Sequence, residues 1–286
     1  MRIKEALWAY ALLLPGLGVI VVSMTVVMGM AFAQSVGYFN FAGESGFSLR
    51  FWESLLADNQ LWRAFWYSLR IASLSAILAV VAAYPLALWL RTPFAGSNVV
   101  SALLKAPLLV HGLVAAFLYI NFVSFQGFLN TTLVGLGFVT KPLRMQNDPY
   151  GVGVVILQVW KQMPFALLLL SGAVQAIGDD IINAARDLGA NGWSRFVRVI
   201  MPLTMKSLQA SLILIFINAA GDFSFQSVAG PTNVNSLAQF MVRTQEADAE
   251  GWNRAAVVAV ILMGASLVGA LVLAALTQLV VKLGRR

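Results

Sequence analysis

The sequence predicts an all-α, polytopic membrane protein with about six transmembrane helices, and three observations carry this prediction. First, 59% of the 286 residues are hydrophobic and only 11% are charged, whereas a soluble domain has roughly 45–50% apolar and 25% charged residues. Second, apolar runs long enough to cross a bilayer, which takes roughly 20 residues, recur along the chain. Third, Lys and Arg concentrate in short segments between alternate runs.

The first half of the chain contains three predicted spans. Residues 7–33 carry no charge; the run is too long for the apolar core of a signal peptide, so we interpret it as a retained first helix. Residues 34–63 are polar and predict an external loop with a short helix near residues 51–56. Residues 64–90 and 98–122 are the second and third predicted spans, joined by a tight inner turn.

The second half continues the same alternation. Residues 126–148 predict a second external segment, followed by a fourth span over residues 149–175. A charged segment at residues 176–202 comes next, and a fifth span is predicted over residues 203–222. A third external segment and a sixth span over residues 255–281 complete the chain, which we expect to form a single membrane domain over residues 1–286.

The distribution of basic residues predicts the orientation of these spans. Ten Lys and Arg residues fall in segments predicted to lie inside: Arg2, Lys4, Arg91, Arg186, Arg195, Arg198, Lys206, Lys282, Arg285 and Arg286. Six fall in the longer segments predicted to lie outside: Arg50, Arg63, Lys141, Arg144, Arg243 and Arg254. Because basic residues favour the cytoplasmic loops, both termini and the segment at residues 176–202 are predicted to be cytoplasmic.

Composition argues against several functions. The net charge of +7 follows from the basic cytoplasmic loops and does not indicate nucleic-acid binding. The absence of Cys excludes disulfides and thiolate metal sites, and a single His, His111, argues against a histidine-based metal site. The sequence has no G-x-x-x-x-G-K-[ST] motif, so this chain has no P-loop and ATP, with its Mg²⁺, would have to be bound and hydrolysed by another subunit. We therefore expect no cofactor and no metal on this chain.

The segment at residues 176–202 predicts two short helices joined by a turn. Acidic residues near position 179 suit the start of a helix, and Gly189 suits the residue just after its end. Trp193, Phe196 and Ile200 then repeat at helical spacing and predict an apolar face. Pro202 is expected to end this second helix. On these grounds alone, an amphipathic loop on the membrane surface is an equal alternative.

The order of residues in this segment resembles the cytoplasmic signature loop of permease subunits from binding-protein-dependent ABC importers. That signature has Glu-Ala-Ala, a Gly six residues after the Glu, and Ile-x-Leu-Pro further on. Ala184, Ala185, Gly189 and Pro202 match it in order, and Ile200 lies one position nearer the Pro than the Ile of the signature, whereas Asn183 replaces the Glu and Met201 the Leu. The resemblance assigns coupling to an ATPase to Asn183, Ala184, Ala185, Arg186, Asp187 and Gly189.

The resemblance also implies an architecture and partners. It implies a type I ABC importer permease-like bundle in the bacterial inner membrane. It further implies a second permease subunit of a different chain, a pair of ATPase subunits and an extracytoplasmic substrate-binding protein. The segment at residues 176–202 would be the coupling element that sits in a cleft of one ATPase.

Weaker hints resemble the polyamine group of these permeases, namely Gly221-Asp222-Phe223 and Ala229-Gly230-Pro231. They imply a small polar solute, with a polyamine-like cation favoured. Permeases for ferric iron, thiamine and phosphonate are alternatives within the same class. A secondary transporter is an alternative of another class, although it does not explain the Arg-rich helix pair. A membrane-embedded enzyme is a further alternative, but the spans show no recognisable catalytic cluster.

Polar residues within the predicted spans are candidates for the translocation path, because ionisable groups are costly in a membrane. Asp222 and Asn218 lie one turn apart in the fifth span, and Gln158 and Lys161 share part of the fourth. Tyr119 lies near the outer end of the third, where an interfacial aromatic residue is the favoured interpretation and an external gate the alternative. Packing between helices, or extension of a long side chain to the interface, is the alternative for Lys161.

Overall fold

The computed structural model describes residues 2–143 and 145–284, and every regular element in those ranges is helical. The chain divides into two compact units, a first unit of Met1–Leu61 with Phe240–Ile261 and a second unit of Trp62–Gln239 with Leu262–Arg286. Arg144, Arg285 and Arg286, which the charge count placed in a loop and in the tail, lie outside the described residues.

The helices follow one another in this order: α1 (Arg2–Ser35), α2 (Arg50–Leu56), α3 (Asn59–Trp89), α4 (Ser97–Lys105), α5 (Gly112–Val123), α6 (Phe128–Gly135), α7 (Val152–Gln175), α8 (Asp179–Asp187), α9 (Gly192–Arg195), α10 (Met201–Ala220), α11 (Ser224–Ala229), α12 (Leu237–Ala247) and α13 (Gly251–Gly284). Six stretches in the described part of the chain are long and apolar enough to cross a membrane: Leu13–Ser35, Asn59–Trp89, Gly112–Gly135, Val152–Gln175, Gly192–Ala220 and Gly251–Leu279. The expected all-α fold and number of spans are confirmed.

The third span differs from the prediction. The sequence predicts one helix over residues 98–122, whereas α4 ends at Lys105 and a 3₁₀ turn covers Ala106–Leu109 before α5 begins. Pro107 explains the interruption, because it lacks an N–H and disfavours helical geometry in the residue before it. The span runs instead over Gly112–Gly135, so part of the segment expected outside belongs to it.

The fifth span also differs, because Pro202 does not separate two helices. The α9 helix, a π-helical turn at Phe196–Ile200 and α10 follow one another without a gap from Gly192 to Ala220. Pro202 lies in the first turn of α10, and local π geometry is one way in which a membrane helix tolerates proline. The second helix of the predicted pair is therefore the beginning of the fifth span. We call α8 the first arm of the segment and residues 192–200 its second arm.

The first unit joins the end of α1 to the beginning of α13. The Asn253 side chain donates from Nδ2 to the carbonyl oxygens of Gln34, at 2.8 Å, and Tyr38, at 3.2 Å. Arg50 forms an ion pair with Glu250. Within this unit, the polar ends of the two helices are thus held together by hydrogen bonds and charge.

The core of the second unit is built on a face of small residues along α3. These residues recur every three or four positions and have no exposed surface: Ala72, Ala76, Ala79, Ala83 and Ala87. Larger side chains of α7 and α10 pack against this face, among them Leu167, Leu170, Ile215 and Phe216. Small residues allow close helix approach, which matters in lipid because little hydrophobic force acts between helices there.

Candidate functional site

The turn after α8 has the predicted backbone geometry. Gly189 has a φ of +80°, and its N–H donates to the Arg186 carbonyl oxygen at 2.9 Å. The next N–H, of Ala190, donates to the Ala185 carbonyl oxygen at 3.0 Å. These two bonds form a Schellman motif, which places its C′ residue in the left-handed region where glycine is unstrained.

The second arm begins with its own cap. Asn191 Oδ1 accepts a hydrogen bond from the Ser194 N–H at 2.8 Å, which satisfies one of the free N–H groups at the start of α9. The chain therefore leaves α8 and enters the fifth span through a short turn, stabilised by one motif on each side.

The residues assigned to ATPase coupling lie at the surface of this chain. Asn183, Ala184, Arg186, Asp187 and Gly189 are exposed, and Ala185 is half-buried. The helix is anchored from its other face by the buried Ile182. The surface presented by α8 is consequently free to meet another protein.

Apolar side chains extend this surface beyond α8. Leu188 is 89% exposed and Trp193 is 73% exposed. The sequence predicts that Trp193 joins Phe196 and Ile200 in attaching the segment to the rest of the chain, but only Phe196 and Ile200 pack on the core. Trp193 touches the Phe196 ring at a centroid distance of 5.6 Å but remains largely exposed, so it adds apolar area to the exposed face.

The second arm is attached to α3 by aromatic and hydroxyl contacts. The Phe196 ring meets the Tyr84 ring edge to face at a centroid distance of 5.2 Å. The Tyr84 hydroxyl forms a hydrogen bond with the buried Thr204 hydroxyl on α10. Edge-to-face pairs and buried hydroxyl bonds both restrict orientation, and they fix this arm against α3.

The first arm is attached by Arg91, which the sequence analysis treats only as a basic residue of an inner turn. Its Nη2 donates to the Ile177 carbonyl oxygen and to Asp179 Oδ1, both at 2.8 Å. These acceptors lie on either side of the junction between α7 and α8. The sequence contains no signal for this contact, because Ile177 and Asp179 lie 86 and 88 positions after Arg91 in the chain.

A second group of polar residues lies where α7 packs against α10. The Gln162 side chain donates from Nε2 to Asn218 Oδ1. One turn along each helix, the Gln158 carboxamide approaches the Asp222 carboxylate. Positions 158 and 162 thus face positions 222 and 218, as expected for antiparallel helices. We call Gln158, Gln162, Asn218 and Asp222 the polar stripe; Gln162 was missed by the sequence analysis.

Asp222 combines a capping role with an unusual pKa. Its Oδ2 accepts a hydrogen bond from the Phe225 N–H at 3.0 Å at the start of α11. Burial raises the pKa of Asp222 from 3.8 to about 6, although backbone N–H groups of residues 224–226 and the Gln158 carboxamide act in the opposite direction. A carboxylate held in this way gains from a nearby positive charge.

Gln158 is the buried member of the stripe. Its side chain has no exposed surface, and neither Oε1 nor Nε2 has a hydrogen-bond partner among the described residues. It approaches Asp222 without reaching hydrogen-bond geometry. Asn218, in contrast, is exposed. A buried amide without a partner is costly, so this end of the stripe can accept a further hydrogen bond.

Lys161 and Tyr119 lie apart from the polar stripe. Lys161 Nζ donates to the carbonyl oxygens of Pro107, at 2.8 Å, Leu108, at 3.2 Å, and Val110. It therefore caps the 3₁₀ turn that interrupts the third span. Tyr119 packs against Gly153, where an added Cβ would lie 2.7 Å from the tyrosine hydroxyl oxygen. The Lys161 contact is of the helix-packing kind given above as its alternative, whereas the Tyr119 contact is with a neighbouring helix.

No group of three or more His, Asp or Glu side chains suited to a metal ion occurs in the described ranges. The functional features of the second unit are thus the exposed helix α8, attached to α3, and the polar stripe between α7 and the end of α10.

Comparison with known proteins finds one family whose description matches most of the chain. The family described as a binding-protein-dependent transport system inner membrane component matches residues 95–283. The spermidine/putrescine transport system permease protein PotB of Haemophilus influenzae is 31% identical over 170 residues, which are 59% of each chain. PotB of Escherichia coli is 28% identical over 198 residues, which are 69% of this chain and 71% of the relative.

Other similar proteins act on different solutes. The trehalose transport system permease protein SugA of Mycobacterium tuberculosis is 26% identical over 242 residues, covering 82% of this chain and 78% of the relative. Among solved structures, a bacterial ABC transporter involved in the import of the acidic polysaccharide alginate has a chain with a TM-score of 0.76 and 16% identity, covering 97% of this chain and 99% of that one. A second alginate transporter structure, in complex with an alginate pentasaccharide-bound periplasmic protein, gives a TM-score of 0.75 and 18% identity. The similarity to these structures concerns the fold.

Proposed function

This chain belongs to the family of binding-protein-dependent transport system inner membrane components and is a multi-pass inner membrane permease subunit of an ABC importer, and we propose that it carries a small polar cation of the polyamine type. The observation that carries the proposal is the polar stripe with Asp222 at one end. Its carboxylate is partly buried and short of compensating charge, so a cationic solute passing along the stripe would be stabilised there.

The relatives support a polyamine and also supply the competing candidate. The PotB proteins are spermidine/putrescine permeases, whereas SugA, which matches more of the chain, is a trehalose permease. Three of the four stripe side chains are neutral amides, and amides hydrogen-bond well to sugar hydroxyls. A sugar is therefore the second candidate, and Asp222 is the residue that separates the two.

The energy source in this proposal is ATP hydrolysed, with Mg²⁺, by separate ATPase subunits, which dock on the exposed face of α8. The permease would bind neither ATP nor a metal itself. Asn183, Ala184, Ala185, Arg186 and Asp187 would form the contact, and Gly189 would set the angle between the two arms. ATPase closure would displace the segment as a rigid body and move the spans between inward-open and outward-open states.

The remaining partners and the orientation follow the same proposal. A second permease of a different chain would complete the path, and a substrate-binding protein would deliver the solute from outside. The side of α8 would be cytoplasmic, with both termini, as the charge distribution indicates.

Uptake into proteoliposomes that contain the complete importer tests the solute. We expect ATP-dependent uptake of spermidine, and about tenfold less with Asp222→Asn, because the variant keeps the shape of the side chain but removes its charge. Asp248→Asn is the matched control, since Asp248 is an exposed carboxylate paired with Arg254 and is not in the stripe. Uptake of trehalose without uptake of spermidine would show that the solute is a sugar and not a polyamine-like cation.

A further inference from the structure

Arg91 bridges the junction between α7 and α8, beside the buried side chain of Ile177. Its side chain is 16% exposed, whereas the side chain of its partner Asp179 is 86% exposed. Between the two acceptors lies Gly178, and an added Cβ there would meet no atom within 4 Å. Glycine offers the least resistance to a change in backbone angles, so the junction depends on the Arg91 hydrogen bonds together with the buried Ile177 and Ile182.

The two hydrogen bonds act on different helices. The Ile177 carbonyl oxygen lies just beyond the end of α7, and a guanidinium is favourable there because it meets both the free carbonyl and the negative end of the helix dipole. Asp179 lies in the first turn of α8. Because the bond to the carbonyl is the more enclosed one and exposed ion pairs contribute little, we expect the bond to Ile177 to matter more.

The α3 helix therefore meets both arms of the segment. Arg91, two residues beyond the end of α3, holds the first arm. Tyr84, seven positions earlier, holds the second arm through Phe196 and Thr204. A displacement of α8 would reach α3 from two sides, and α3 carries the small-residue face on which the core of the unit packs.

We propose that Arg91 is a positioning residue that passes movement of α8 to α3. This role for Arg91 rests on the proposed docking of ATPase subunits on α8. With Arg91 in place, α7, α8 and the end of α3 move together. Without it, the junction at Gly178 absorbs the displacement, so ATP is hydrolysed without a matching change in the spans.

The test compares solute transported per ATP hydrolysed, in the reconstituted importer, with co-purification of the ATPase. Arg91→Met removes both hydrogen bonds. Arg91→Lys keeps the positive charge on a shorter side chain. Asp179→Asn weakens only the exposed ion pair. Arg254→Met is the matched control, because Arg254 forms an ion pair of the same 2.8 Å length with Asp248. Coupling between two sites ordinarily amounts to about 5- to 150-fold.

We expect Arg91→Met to retain the ATPase and to lower the transport-to-hydrolysis ratio at least about fivefold, the low end of that range. Arg91→Lys should fall between it and the wild type, and Asp179→Asn should stay within about twofold because exposed pairs contribute little. An unchanged ratio in Arg91→Met, or a fall no larger than in Arg254→Met, would overturn the proposal, as would loss of the ATPase. If the Met variant is not inserted, a wild-type ratio in Arg91→Lys overturns it.

Docking on α8 is judged separately, from co-purification alone. Ala185→Trp should displace the ATPase, because a bulky side chain would stand on the half-buried contact position. Retention of the ATPase by that variant would refute docking on α8. The transport-to-hydrolysis ratio of Arg91→Met decides only the role of Arg91.

Discussion

The Gln162 carboxamide donates a hydrogen bond to the Asn218 carboxamide across the interface between α7 and α10. The same two helices also pack through the apolar side chains of Leu167, Leu170 and Ile215. A hydrogen bond between membrane helices fixes register, because sliding either helix would leave an amide without a partner. The pair therefore serves both the packing of the core and the lining of the proposed path.

A double-mutant cycle should detect this pair. Gln162→Ala and Asn218→Ala should each lower the stability of the protein, and the double variant should lose less than the sum of both. Cycles between membrane helices give a coupling of about 0.6 kcal/mol on average, so we expect about that value from thermal unfolding in detergent.

The Gln209→Ala variant supplies the control for this cycle. Gln209 also donates within the membrane, but to the carbonyl oxygen of Ala274 at 3.0 Å. Its effect should add to that of Asn218→Ala, since the two side chains share no partner. Additivity between Gln162 and Asn218 would show that their hydrogen bond does not contribute.

Asp222 should make stability fall as the pH rises from about 4 to 6. Its pKa is about 6 in the folded protein against 3.8 ordinarily, so the folded state binds the proton more tightly and is favoured at low pH. The difference is about two units, which at 1.36 kcal/mol each corresponds to roughly 3 kcal/mol at most. The stabilisation is present below pH 3.8 and is lost as the pH passes 6.

Comparison of the wild type with Asp222→Asn separates the contribution of Asp222 to the pH dependence of stability from that of the other carboxylates. The variant should be more stable than the wild type at pH 7.5, and its advantage should shrink at pH 4.5. The measurement is the melting temperature of both proteins in detergent at the two pH values. An equal difference at both would mean that the carboxylate titrates normally and that burial does not hold the proton.

The number of spans and the turn at Gly189 were predictable because both depend on local pattern. Apolar length predicts spans, and Gly after an amphipathic run predicts a left-handed turn. The helicity across Pro202 was not predictable, since proline at the start of a helix and proline that breaks one look alike in sequence. Gln162 was missed because a single amide in an apolar run has no periodic signal.

Long-range contacts explain the remaining differences between the predicted and the observed positions of these side chains. In the sequence, Arg91 looks like an ordinary basic residue of an inner turn, and Lys161 like a long side chain within a span that extends to the interface. Apart from the Asp179 carboxylate, their acceptors are backbone carbonyls more than 50 positions away, and a carbonyl has no residue type to recognise. Only the fold identifies such partners.

Substitution of Gly189 should weaken ATPase binding through backbone strain alone. Nothing lies within 4 Å of an added Cβ, so Gly189→Ala introduces no clash. It does place a side chain at a φ of +80°, which costs about 1 kcal/mol and thus about fivefold in affinity if the turn opens. Gly189→Asn should be milder, because Asn tolerates this region.

Gly192→Ala is the matched control for that measurement. Gly192 is equally open to an added Cβ, but its backbone is in the first turn of α9, where alanine is favourable. ATPase affinity, measured by titration of ATPase subunits onto the permease in nanodiscs, should therefore be unchanged. Equal effects of both substitutions would indicate that the surface, rather than the turn, is sensitive to added volume.

Substitution of Gly269 should disrupt the packing of α13 on α10. An added Cβ would overlap the Phe216 ring, which is 1% exposed and belongs to the core cluster of the unit. Overpacking of this kind costs about 1–3 kcal/mol, so Gly269→Ala should lower the melting temperature in detergent by several degrees. Gly264→Ala on the same helix meets no atom within 4 Å and should be neutral or slightly stabilising, since alanine is the better helix former. Combining Gly269→Ala with Phe216→Leu should recover part of the loss, because the smaller side chain leaves room for the methyl group. A double variant no more stable than Gly269→Ala would show that the ring is not what excludes a side chain at this position.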